Sequence, residues 1–188
     1  IKNNGTLDKY IGDAQMAFWN APLDDKDHAI LAVKTALEML GDLDEFNTEI
    51  FKEGIPPFGM GLGINTGDVV VGNMGSVQRF DYTCLGDPVN LASRLEGQSK
   101  NYGVRIVLGP KTAEYVKDVY SIVEMDCIAV KGKTEGVKIY TVGETVAYMH
   151  NEYLKEYYRG DWNKAIDWAK KMINNDDVTI KHYYELMI

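Results

Sequence analysis

Short alternating runs open this chain, and a long stripe with a period near 3.6 follows them. Thr6 to Ile11 reads as a strand, although its alternation is imperfect, and Ala14 to Trp19 reads as a second one. Gly12-Asp13 between them predicts a tight hairpin turn with Asp13 at its tip. From Asp24 to Phe51, Ile30, Val33, Leu37, Leu40, Leu43, Phe46 and Ile50 recur at three- and four-residue steps, which predicts an amphipathic helix packed over a sheet. Asp24, Asp25 and Asp27 at its start suit the helix dipole. Phe58 to Asn65 and Asp68 to Gly72 read as two strands separated by Thr66-Gly67. Arg79 to Leu85 is a further β-type run, broken at Gly86-Asp87-Pro88. A helix then follows, with Val89, Leu91, Ala92 and Leu95 apolar, Asp87 as N-cap and Pro88 in its first turn. Arg105 to Leu108 is a short strand, Gly109-Pro110 opens a helix to Val116, and Tyr120 to Glu124 is extended. Ile128 to Val142 reads as a final hairpin with Lys131-Gly132-Lys133 at the end of its first strand.

Past Val146 the composition turns to Tyr, Trp, Lys and Asp in a helical pattern. The string YLKEYYRGDWNKAIDWAKKMI resembles the centre of a tetratricopeptide repeat, with Gly160 in the turn and Ala165 and Ala169 where helices pack closely. One repeat cannot bury its own face. It is either a helical cap on the preceding domain or the start of an array that binds a protein partner. The organisation expected is one domain over residues 1–145 and a helical tail over 146–188, in the cytoplasmic part of a parent protein whose upstream sensor or membrane anchor would lie outside this sequence.

Composition narrows the classes. The chain has 188 residues, 45% apolar and 26% charged, as in ordinary globular proteins. A net charge of −8 disfavours bulk nucleic-acid binding. Cys84 and Cys127 are far apart, as in a reduced cytoplasmic protein. His28, His150 and His182 have no metal-ligand spacing. No apolar run reaches membrane-span length. The glycine-rich run GMGLGINTGDVVVGNMGS lacks the Gly-Lys-Ser/Thr of a phosphate loop, and its glycines read as points of close backbone approach.

Candidate chemistry starts with Asn90 and Arg94. Four residues apart, they share one helix face, placed to hold a ribose and a phosphate. The segment resembles the class III adenylyl and guanylyl cyclase signature G-x-x-V-N-x-A-x-R, which Gly86, Val89, Asn90, Ala92 and Arg94 match. LDKYIGDAQMAFW resembles the cyclase hairpin whose Asp binds the metals, and GINTGDVVVG the cyclase glycine hairpin. The resemblance implies an α+β, ferredoxin-like βαββαβ two-layer sandwich followed by the helical extension. It also implies conversion of ATP to cyclic AMP at a homodimer interface with two Mg²⁺ (or Mn²⁺) ions. Asp13 of one chain would ligate the metals. Lys9, Thr83, Asn90, Arg94 and Lys131 would come from the other. Lys9 and Thr83 would read the base, Asn90 the ribose, Arg94 the α-phosphoryl group and Lys131 the outer phosphates.

Guanylyl members carry Glu and Cys at the base-reading positions. Lys9 donates and Thr83 can accept, which favours ATP. Cys84 is one residue off and faces the opposite way on a strand. The Thr variant is similar to a bacterial, soluble subgroup that often responds to bicarbonate. The family's first strand, F-x-D-I-x-G-F, carries a second metal-binding Asp and has no counterpart here. The expectation is that the N-terminal strand is missing and that the chain by itself has little activity. A guanylyl cyclase and a silent cyclase-like dimerisation module are the alternatives; a diguanylate cyclase would carry a G-G-D/E-E-F string, which is absent.

Overall fold

The computed structural model describes residues 3–76, 79–129 and 136–188. A four-stranded sheet forms its centre, in the order β3 (Leu62–Ile64), β6 (Ile106–Leu108), β8 (Val137–Val142), β7 (Ile122–Ile128). The β3–β6 pair is parallel and the other pairs are antiparallel. Two separate hairpins flank it, β1 (Thr6–Ile11) with β2 (Ala14–Phe18) and β4 (Val70–Ser76) with β5 (Arg79–Leu85). Helices α1 (His28–Lys52) and α3 (Pro110–Val116) cover one face of the sheet. Helix α2 (Asp87–Gln98) covers the other, together with the tail helices α4 (Ala147–Arg159), α5 (Trp162–Ile173) and α6 (Lys181–Leu186).

Several sequence readings shift. Helix α1 turns Ala29, Ala32, Val33, Ala36 and Leu40 to the core, whereas Leu37 is 37% and Phe46 48% exposed. Small alanines let the helix axis approach the sheet, so the larger side chains fall to the margin, where Phe46 stacks on Phe58 at 6.2 Å. β3 is only three residues long, and its backbone bonds run to β6. β4 does not form a hairpin with β3; it pairs through seven residues with β5. The last hairpin is β7–β8, with β7 longer than the sequence indicated and shifted toward the chain start. The cap of α2 is Gly86, with Asp87 already inside the helix and no side-chain capping bond.

A trough of about 550 Å³ opens between β2 and β3, lined by Ala17, Leu62, Val71 and Cys84 and by Ala29 and Ala92 of the flanking helices. The hairpin β1–β2 thus shares no ladder with the main sheet.

The tail shares one apolar cluster with the sheet: Tyr153, Ala165, Ala169, Met172 and Tyr183 pack with Leu95, Val107, Met125 and Ile139. Gly160 (φ 76°) ends α4 in the left-handed conformation, and Asp161 caps α5 by accepting from the Lys164 amide. Polar contacts fix the register. The Tyr183 hydroxyl donates to the Met125 carbonyl at 2.6 Å, and those of Tyr102 and Tyr157 donate to Asp126. Buried His150 bonds through Nε2 to the Glu124 carbonyl at 2.7 Å and through Nδ1 to the Tyr184 hydroxyl at 2.8 Å. A carbonyl only accepts, so Nε2 carries the proton and Nδ1 accepts.

Burial pushes the His150 pKa below its ordinary value. The unfolded chain therefore takes up a proton at higher pH than the folded one. This contribution to stability is whole above the ordinary histidine range and is lost as pH falls through it. Thermal unfolding is expected at lower temperature as pH drops from about 7 to about 5, with a smaller drop in His150→Gln; equal drops in both would remove His150 from the account.

Candidate active site

Three elements carry the candidate residues. The first is the β1–β2 hairpin. Gly12 (φ 66°) makes its turn possible and leaves Asp13 exposed at the tip. The second is the face where β1 meets β5. Here the Thr83 hydroxyl donates to Asp8 Oδ2, and Lys9 Nζ lies 3.4 Å from Asp8 Oδ1 and 3.9 Å from Asp81 Oδ2. Lys9 and Thr83, paired by the sequence resemblance across more than seventy residues of chain, thus meet at one carboxylate. Sequence reasoning passed over Asp8. The signal available was the imperfect alternation of β1, which marks a bulge.

Cys84, beside Thr83, lines the trough between β2 and β3 instead. Burial, and then the charge of Asp8, push its thiol pKa up, so it is an inert packing residue. The strand alternation expected for these two neighbours holds.

The third element is α2. Leu91 and Leu95 turn inward and are buried, which leaves Asn90 and Arg94 exposed on the outer side. Two contacts seat the helix. A Cβ on Gly63 of β3 would meet the Ala92 carbonyl at 2.1 Å and the Glu96 nitrogen at 2.3 Å, so the absence of a side chain there lets α2 lie directly on the strand. The Asn65 amide donates to the Pro88 carbonyl at 3.0 Å and ties the end of β3 to the first turn. A cavity of about 460 Å³ opens beside that turn, between Asn65, Asp87, Lys111 and Lys138. Lys131 lies outside the described residues.

Among the described residues no cluster of three or more His, Cys, Asp or Glu side chains is placed to hold a metal ion. Asp13 is one carboxylate at an exposed turn. Hard divalent cations need about six oxygens, commonly from more than one carboxylate. The donor set among the described residues therefore does not make a two-ion site.

These features define an α+β nucleotide-cyclase type of domain: a mixed sheet, a polar helix face at the N-x-x-x-R positions, and a Lys–Thr pair held between two hairpins. The comparisons agree. Residues 6–144 match the model of the adenylate and guanylate cyclase catalytic domain. The chain belongs to that family. It is 37% identical over 140 residues to adenylate cyclase 1 of Rhizobium meliloti (strain 1021), covering 74% of this chain and 21% of the relative. The crystal structure of the adenylyl cyclase CyaB from P. aeruginosa superposes with a TM-score of 0.68 at 36% identity, covering 75% of this chain and 72% of that one. The guanylyl cyclase Cya2 superposes with a TM-score of 0.67 at 35% identity, covering 74% and 70%. This chain thus spans about a fifth of the curated relative's length.

Helix α2 owes its position to the missing side chain at residue 63. Gly63→Val is expected to destabilise the domain by about 3 kcal/mol or more, read as a shift in denaturant midpoint. A neutral result would mean that the helix can move off the strand.

Proposed function

We propose that this chain is the catalytic domain of an adenylyl cyclase that converts ATP to 3′,5′-cyclic AMP and pyrophosphate as a symmetric homodimer in the cytoplasm. The observation that carries the reading is the meeting of Lys9 and Thr83, from two different hairpins, at Asp8. It offers a base edge one cationic donor and one hydroxyl acceptor. Adenine's amino group and ring nitrogen suit that pair. Guanine would set a protonated ring nitrogen against Lys9 and a carbonyl against Thr83, and a buried unmatched polar group costs about 1–3 kcal/mol.

The remaining roles follow from where charge develops. The ribose 3′-oxygen attacks the α-phosphorus in line, the bond to the bridging oxygen breaks, and pyrophosphate leaves. Asn90 orients the ribose so that the 3′-oxygen faces phosphorus. Arg94, one turn further along the helix, stabilises the negative charge on the α-phosphoryl oxygens, a contribution whose loss costs roughly 10²–10³ in rate. Lys131 holds the outer phosphates. Asp13 would supply one carboxylate toward a divalent ion, Mg²⁺ or Mn²⁺, at the site whose Asn90 and Arg94 come from the other chain. Asp13 and the Asn90–Arg94 face are both solvent-exposed, as a site shared across a two-fold axis requires. The tail acts as a cap rather than as a partner-binding arm, because its apolar face is used within the domain.

Mixing Asp13→Ala with Arg94→Ala chains should recover roughly a quarter of wild-type cyclic AMP production, since random pairing gives half heterodimers, each with one intact site. No recovery would count against a shared site. Residues 1–188 alone are expected to show little activity beside the full-length protein under the same metal conditions, because Asp13 is a single carboxylate. Full activity of the short chain would mean that the metal-binding carboxylates are all within it.

A further inference from the structure

Asp8 is placed in a way that a plain strand would not allow. Leu7 pairs with Ala17 and Lys9 with Met16, so Asp8 is the extra residue of a bulge in β1. A bulge re-aims side chains beside it. Here the Asp8 carboxylate reaches both its own neighbour Lys9 and Thr83 on β5. Its side chain is 0% exposed, and Oδ1 has no hydrogen-bond donor among the described residues, only the Lys9 ammonium at 3.4 Å. Burying a carboxylate this completely is costly unless its partners compensate.

The chemistry of the pair is directional. A threonine hydroxyl is ambivalent: it can donate its one proton or accept through its lone pairs. An ionised carboxylate only accepts. Once the Thr83 proton is committed to Asp8, the hydroxyl can offer only a lone pair to anything that approaches from outside. We propose that Asp8 is the positioning residue that sets base specificity, by fixing Thr83 as an obligate acceptor. This rests on the reading that Lys9 and Thr83 meet the base. Adenine presents an amino donor to that acceptor. Guanine presents a carbonyl, which Thr83 could satisfy only by withdrawing its proton from Asp8.

The test uses the full-length protein and the ratio of kcat/KM for ATP to that for GTP. Asp8→Asn can turn an amide N–H toward Thr83 and release the hydroxyl proton, so the ratio is expected to fall about tenfold or more. Asp8→Ser also removes the obligate acceptor and is expected to move the ratio the same way if the Asn variant folds poorly. In a Thr83→Val background, Asp8→Asn is expected to leave the ratio unchanged, because it acts through the hydroxyl. Binding of the α,β-methylene analogues of ATP and GTP gives the same ratio where turnover is too slow to measure. If Thr83→Val moves the ratio and neither Asp8 variant does, Asp8 only anchors two strands and the proposal is overturned, while the base-reading role of Thr83 stands. An effect of Asp8→Asn that persists without the hydroxyl overturns it as well. If none of the variants, Thr83→Val included, moves the ratio, the base-reading assignment itself fails.

Discussion

Strand β6 is closed to water on both faces, and the arrangement of the site follows from that. Ile106 and Leu108 point to α1 and α3, and Val107 to α2 and the tail. The helix on the Val107 side must present its own apolar residues, so Leu91 and Leu95 face inward. Fully burying each is worth about 1.5–3 kcal/mol. Turning the helix so that Asn90 and Arg94 faced the core would lose most of that and leave a guanidinium in an apolar layer. The outward direction of the two polar residues is thus a consequence of packing.

The β1–β2 hairpin meets β5 differently. Phe18 packs against Tyr82 at 5.8 Å, and Asp8, buried with Lys9 and Thr83 around it, adds a polar link between them. A charge in that position couples fold and chemistry in one group. It fixes which way a hydroxyl proton points, and the direction of that proton distinguishes an amino group from a carbonyl. Helix α2 and the contact between β1 and β5 are therefore held by different forces, the first mainly by hydrophobic packing and the second in part by hydrogen-bond polarity.

The tail belongs to the same core as the sheet. Tyr153, Tyr183 and Tyr184 bury their rings in one cluster with Val107 and Met125, and the hydroxyls of Tyr183 and Tyr157 reach the Met125 carbonyl and the Asp126 carboxylate on β7. This explains a composition rich in Tyr over residues 146–188. An aromatic ring with a polar tip can fill an apolar layer and still satisfy the strand beneath it.

Much of this was legible along the chain. Periodicity located α1, the hairpin at Gly12-Asp13 and the tail helices, because each repeats a local geometry within a few residues. The N-x-x-x-R spacing placed Asn90 and Arg94 on one helix face for the same reason, and the alternation of β5 separated Thr83 from Cys84. The stripe on α1 held at Val33, Leu40 and Ile50 but not at Leu37 and Phe46, because hydrophobicity alone ranks those two above alanine, whereas the core selected the residues that let helix and sheet approach. The pairing of β4 with β5 rather than β3 was out of reach, since a ladder depends on which strands find each other across the fold. What the sequence by itself determined was the set of local elements and the side-chain types each one carries. Only the tertiary structure decided that Asp8, Lys9 and Thr83 share one polar centre, because a bulge and a contact between distant strands leave no periodic trace in the order of residues.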